Sequence, residues 1–144
     1  MNHEIDILLV EDNMSDAEMI VRALKKNNIT DKLVHLRDGS EALDFIFAEG
    51  PYLDREAKKM PKVIFLDLKM PKVNGLQVLQ RVKSDERTRK IPIVILTSSN
   101  EDTDIRECYN LGINSYIVKP VQFEEFTKVI SKLGLYWTSL NKLP

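Results

Sequence analysis

The chain has 144 residues, 43% of them hydrophobic and 30% charged, which is ordinary globular chemistry and not the signature of disorder. Its 21 Lys and Arg against 22 Asp and Glu leave a net charge of −1, a weak basis for binding nucleic acid or an acidic membrane. A single cysteine, Cys108, excludes an internal disulfide and a cysteine-rich zinc site, and no apolar run reaches the ~18–20 residues that span a bilayer. Met1–Asp6 carries two acids and no basic stretch, so it does not read as a secretory signal; the expected setting is the cytoplasm.

Along the chain, short β-branched apolar runs alternate with helical patterns. Ile5–Val10 reads as a first strand and runs into Glu11-Asp12-Asn13. Ser15-x-x-Glu18 has capping-box spacing, and Ala17, Ile20, Val21 and Leu24 then mark the buried face of a first helix. Lys32–Leu36 is a weaker second strand. Asp38-x-x-Glu41 opens a second helix with Leu43, Ile46 and Phe47 inward. Ala48–Pro61 is long for a connection and reads as an exposed loop, with a helical turn expected around Asp54–Lys58. The third strand, Val63–Leu66, ends at Asp67, and a third helix from Gly75 to about Ser84 buries Leu76, Leu79 and Val82. Ile91–Leu96 runs into Thr97-Ser98-Ser99, where Ser98 or Ser99 is expected to cap a fourth helix carrying Ile105, Cys108 and Tyr109. Ser115–Val118 runs into Lys119-Pro120, and Phe123, Phe126, Val129, Ile130 and Leu133 mark a fifth helix. The tail from Leu135 to Pro144 carries Tyr136, Trp137, Leu140 and Leu143, too apolar for a free terminus. It is expected either to make a self-association patch or to fold back on its own domain.

Strict strand–helix alternation with nearly all-apolar strands implies a parallel sheet covered on both faces. In such α/β sheets, sites form at the carboxyl ends of the strands. Glu11, Asp12, Asp67, Thr97 and Lys119 each follow or end a strand, so residues far apart in sequence should converge on one rim. Three acids crowded together repel one another unless a cation intervenes, and an oxygen-only donor set favours a hard ion such as Mg²⁺. An aspartate beside such an ion can accept a phosphoryl group, with Lys119 and Thr97 placed to meet its oxygens. Taken singly, each residue has a plainer role: a turn-forming Asp, a helix-capping Thr, a loop Lys-Pro. Those plainer roles weaken together, because all would have to reach one rim in one order by chance.

The segments LLVEDN (Leu8–Asn13), FLDLKMPKVNG (Phe65–Gly75), VILTSS (Val94–Ser99) and SYIVKP (Ser115–Pro120) resemble the receiver domain of two-component response regulators, over essentially the whole chain. The resemblance implies a flavodoxin-like, doubly wound α/β fold: five parallel strands in the order 2-1-3-4-5, with five helices. It implies Asp67 as phosphoacceptor, Asp12 and Asp67 as direct Mg²⁺ ligands with the Lys69 backbone carbonyl, and Glu11 acting through water. Thr97 and Lys119 match the phosphate-contacting hydroxyl and ammonium, and Thr97 with Tyr116 matches a switch that reshapes the face of helix four, strand five and helix five. The Lys119-Pro120 bond is expected cis, as in the family. The implied protein is a signalling switch whose only chemistry is its own phosphotransfer and autodephosphorylation. Its implied partner is a sensor histidine kinase or phosphotransfer protein, with self-association through that face and the tail, and without nucleic acid or membrane. The domain is expected over 1–134, with 135–144 as an extension. Without an output domain, and with its longer loop and tail, the chain resembles the small regulators paired with bacterial phytochromes. A phosphatase with the same Asp-Thr-Lys order is the competing enzyme class, but it needs a second Asp where this chain has Lys69. A receiver fold kept as an unphosphorylated binding module is the other alternative, and the intact acceptor set argues against it.

Overall fold

Strands buried on both sides need side chains that are apolar almost throughout, and three of the five strands meet that condition, Thr97 being the one polar residue among them. β1 (Ile7–Val10), β3 (Val63–Leu66) and β4 (Ile93–Thr97) are buried throughout. β2 (Leu33–Leu36) and β5 (Ser115–Val118) are largely half-buried, as befits the two edges. In the computed structural model, which describes residues 5–30, 32–56 and 59–144, all pairings are parallel and the order is β2-β1-β3-β4-β5. The sheet order is the one expected of the doubly wound, flavodoxin-like fold. Residues 1–4, which carry most of the expectation for Met1–Asp6, lie outside the described residues.

Alternation along each strand divides the core in two. Leu8, Val10, Ile64, Leu66, Ile93 and Ile95 face one layer, α2 (Gly39–Ile46), α3 (Gly75–Ser84) and α4 (Asp102–Leu111). Ile7, Leu9, Val63, Phe65, Val94 and Leu96 face the other, α1 (Met14–Lys26) and α5 (Phe123–Leu135). The α1–α5 pair packs closely at Gly134, where a Cβ would lie 2.4 Å from a methyl of Leu24.

Several local expectations change. Ser15 does not cap α1: Asn13 does, its side chain accepting from the Asp16 amide at 3.0 Å, while Glu18 pairs with Arg22 one turn on. Asp38 caps α2 as expected, and Ile46 and Phe47 are buried as expected, joined by Ala42 and Phe45, while Leu43 is half-buried. Asn74 and Gln77 form a reciprocal capping box at α3. Neither Ser98 nor Ser99 caps α4, which begins at Asp102; the Ser99 hydroxyl donates instead to Asp104 at 2.6 Å. Phe123 is 63% exposed at the start of α5, not inward. In the long loop, the helical turn is a 3-10 turn at Gly50–Tyr52, upstream of Asp54–Lys58, of which residues 57 and 58 lie outside the described residues.

The tail continues the helix. α5 runs through Leu135 and passes into a π turn at Tyr136–Leu140, which keeps Trp137 in the core with Phe126 and Ile130. The Lys62 ammonium donates to the Thr138 carbonyl at 3.1 Å and pairs with Asp6 at 3.4 Å, tying the tail to the start of β3. Leu135, Tyr136 and Leu140 stay exposed. Among the described residues, no helix is long and apolar enough to cross a membrane.

Candidate functional site

The register places the site. Val10 pairs with both Leu36 and Leu66, so Glu11 and Asp67 leave the sheet at the same level on neighbouring strands. The Glu11 amide donates to the Leu36 carbonyl at 3.0 Å, and the Asp67 amide donates to the Val10 carbonyl at 3.1 Å. Thr97 pairs with Val118, and the Lys119 amide donates to the Thr97 carbonyl at 2.7 Å. Four strands thus deliver their end residues to one rim without a long loop having to reach it.

Carboxylate oxygens of Glu11, Asp12 and Asp67 all lie within 4.8 Å of one another, with Glu11 and Asp67 buried and Asp12 exposed at the mouth. Two ligands on opposite sides of an octahedral Mg²⁺ stand about 4.1 Å apart, twice its ~2.0–2.1 Å bond length, so this spacing suits such an ion with small adjustments. An open cleft of about 540 Å³ lies over the group, lined by Asp12, Lys69, Met70, Asn74 and Asp104 among others. The Lys69 amide approaches the Asp67 carboxylate at 3.4 Å.

Lys119 reaches into this rim. Its ammonium donates to Glu11 at 2.5 Å, to Asp16 at 2.8 Å and to Asp67 at 3.3 Å, and its side chain is only 8% exposed. Burial alone would lower its pKa, but the hydrogen bonds to Asp16 and Glu11 and the charges of Glu11 and Asp67 outweigh burial and hold it above the ordinary lysine value. Glu11 is also shifted upward, which for a carboxyl favours the neutral form. Burial, then its hydrogen bond with Asp67 and the Asp67 charge, push it up to about 8 against the opposing pull of Lys119. The two shifts describe one site with more negative charge than a single ammonium neutralises. Lys119 is thereby held in its charged form, and the crowding of Glu11 against Asp67 is what a further cation at the rim would relieve.

Thr97 is fully buried on β4, its hydroxyl oxygen approached by the Ser99 amide at 3.4 Å. The half-buried Tyr116 donates its hydroxyl to the Ser99 carbonyl at 2.9 Å. Ser99 therefore stands between the Thr97 hydroxyl and the Tyr116 ring. Burial, partly offset by that hydrogen bond, raises the tyrosine pKa, so the hydroxyl remains a neutral donor. One expectation is corrected here: no cis peptide occurs among the described residues, so Lys119-Pro120 is trans. Trans is the favoured isomer before proline by ~0.5–1 kcal/mol, and Lys119 reaches all three carboxylates from it.

The structure brings Glu11, Asp12, Asp67 and Lys119 together and sets Thr97 and Tyr116 behind them. It adds residues that the sequence reading missed. Asp16, on the first turn of α1, shares Lys119; His35 Nε2 lies 2.8 Å from the Glu11 carbonyl; Ser99 links β4 to β5. Only Asp16 carried a signal, its place four residues after Asp12 at a helix start.

The sequence matches the response regulator receiver domain family over residues 7–131. It is 40% identical over 139 residues to the probable methanogenesis regulatory protein FilR2 of Methanothrix harundinacea (strain 6Ac), covering 96% of this chain and 86% of that protein. It is 34% identical over 138 residues to response regulator Rcp1 of Synechocystis, covering 96% of this chain and 92% of that protein. The Mn²⁺-bound crystal structure of Rcp1 superposes with a TM-score of 0.89 at 33% identity, over 97% of this chain and 99% of that one. The phosphorylated cyanobacterial phytochrome response regulator RcpA superposes with a TM-score of 0.90 at 35% identity, over 99% of both chains.

Proposed function

Because the chain belongs to the response regulator receiver domain family, we propose that it is a phosphoacceptor switch in a phosphorelay, with Asp67 taking a phosphoryl group from a phosphohistidine of a sensor kinase or phosphotransfer protein. An Asp67 oxygen attacks phosphorus and forms an O–P bond as the P–N bond breaks. The bond pair returns to the imidazole nitrogen, which takes up a proton from water, and Asp67 is left as an acyl phosphate. Hydrolysis of that bond by water, without a separate phosphatase, resets the site.

The observation that carries this reading is the meeting of Glu11, Asp12 and Asp67 within 4.8 Å, with the Lys119 ammonium 3.3 Å from the acceptor. Asp12 and Asp67 would hold Mg²⁺ directly, with the Lys69 carbonyl, and Glu11 would reach it through water. When bound, the ion neutralises the clustered acids and orients a phosphoryl oxygen. The description of Rcp1 as Mn²⁺-bound supports a divalent ion at such a site, and the phosphorylated RcpA supports the acceptor role. Lys119 and Thr97 meet the remaining phosphoryl oxygens. Drawing the Thr97 hydroxyl toward phosphate would disturb the Ser99 contacts that also hold Tyr116, and so alter the face of α4, β5 and α5. That face, with exposed Leu135, Tyr136 and Leu140 beside it, is the proposed site of self-association. The likeness to RcpA favours a phytochrome-type kinase as donor, and the proposed setting is the cytoplasm.

Incubation with a radiolabelled phosphohistidine donor and Mg²⁺ tests the reading. The wild-type chain should take up label, chelation should stop it, and Asp67→Asn should take up none. Label retained in Asp67→Asn would overturn it.

A further inference from the structure

Lys119 has three ammonium protons, and each has a carboxylate partner. The contact with the acceptor Asp67, at 3.3 Å, is the longest; Glu11 and Asp16 stand at 2.5 and 2.8 Å. In this state the charge meant for a phosphoryl group sits nearer two other acids. Glu11 belongs to the trio that fits a metal ion, but Asp16 does not. Among the described residues, the Asp16 side chain makes its ion pair with Lys119 alone. Its backbone is placed by Asn13, which caps the Asp16 amide and sets the first turn of α1.

We propose that Asp16 acts on phosphoryl acceptance through Lys119, as a positioning residue that draws the ammonium away from Asp67 and makes an incoming phosphoryl group compete for it. This rests on the phosphoacceptor reading of Asp67 and adds a residue that tunes it. A phosphoryl group on Asp67 adds negative charge beside Asp16, so the Asp16 carboxylate favours the unphosphorylated state on two counts: by holding the counter-charge and by repelling the group.

The test uses beryllofluoride, a phosphoryl mimic that binds a carboxylate, titrated into the full chain by calorimetry at saturating Mg²⁺. Asp16→Asn keeps the shape and, because the cap uses the backbone, leaves the helix start intact. It should bind beryllofluoride about tenfold more tightly, a difference of ~1.4 kcal/mol. Asp16→Ala should tighten binding likewise, and Asp16→Glu should restore the wild-type affinity. A residue with only a structural role would lower the melting temperature and weaken binding, so the sign separates the two. Equal or weaker binding in Asp16→Asn overturns the proposal while leaving the acceptor reading standing. No binding by the wild type, or equal binding by Asp67→Asn, instead removes the acceptor reading and this proposal with it.

Discussion

Gly75 is the first residue of α3, and its amide donates to the Leu68 carbonyl at 2.8 Å, so the helix start leans directly on the loop that carries Asp67. Local propensity predicts that Gly75→Ala stabilises the protein, since alanine is favoured over glycine in helices by ~1 kcal/mol. Packing predicts the reverse. A Cβ there would lie 2.2 Å from the Asp67 carbonyl oxygen, 2.6 Å from the Leu68 Cα and 2.9 Å from the Asp67 carbonyl carbon. Carbon and oxygen ordinarily approach no nearer than ~3.3 Å, so about 1 Å of movement is required. All three atoms are backbone, and no rotamer change can supply that movement. Overpacking typically costs ~1–3 kcal/mol, and the strained Gly75–Leu68 hydrogen bond adds ~1 kcal/mol. Set against the propensity gain, the net loss should be ~1–3 kcal/mol, which lowers the melting temperature by roughly 2–12 °C at about 2–4 °C per kcal/mol. Because the displaced atoms belong to Asp67 and Leu68, Mg²⁺ affinity should fall as well. Scanning calorimetry and a Mg²⁺ titration of the same sample read both effects. A variant that melts at or above the wild-type temperature with unchanged Mg²⁺ affinity would refute the reasoning.

Lys119→Met should slow phosphoryl acceptance from acetyl phosphate by about 10²–10³, the usual effect of losing one group that stabilises transition-state charge, while Mg²⁺ binding is kept or strengthened because a competing cation is gone; an unchanged rate would contradict the role of Lys119. Trp137→Ala should lower the unfolding free energy in urea by ~3–5 kcal/mol, because Trp137 is 7% exposed within the α1–α5 layer, whereas a tail merely resting on the surface would give no such loss. Cys108, fully buried, has its thiol pushed up by burial and by nearby Asp104 and Glu107, from 9.0 to about 11. The folded state therefore disfavours the thiolate, and the stability tied to Cys108 is present below pH 9 and lost as pH rises toward 11. Cys108→Ala should flatten that loss in unfolding curves measured across this window, and an unaltered slope would count against it.

What could be read from the sequence followed from strand chemistry. β3 and β5 lie at the expected residues, because continuous apolar runs ended by Asp67 and Lys119 leave little freedom of register. β1 and β4 each start two residues later than expected, since Ile5 and Ile91 are apolar but lie before the paired stretch, and β4 runs one residue further, through Thr97. The rim residues Glu11, Asp12, Asp67 and Lys119 were legible because a parallel sheet carries strand ends to one edge. Helix starts were less legible, since Asn13, Ser15, Ser98 and Ser99 all have capping chemistry and only the backbone decides which is used. The pairing of Asp16 with Lys119 is not legible in the sequence, because 103 residues separate the two. The trans bond at Lys119-Pro120 departs from what the family resemblance implied, and nothing in the local sequence distinguishes the two isomers.

The central claim is that one particular carboxylate, Asp67, carries the phosphoryl group. Reduction of the freshly phosphorylated chain with borohydride converts an acyl phosphate on aspartate to homoserine, and tandem mass spectrometry then locates it. Homoserine at position 67, absent when Mg²⁺ is chelated, is the predicted result. Homoserine at position 12 or 16 instead, or none anywhere in a chain that has taken up phosphate, would contradict it.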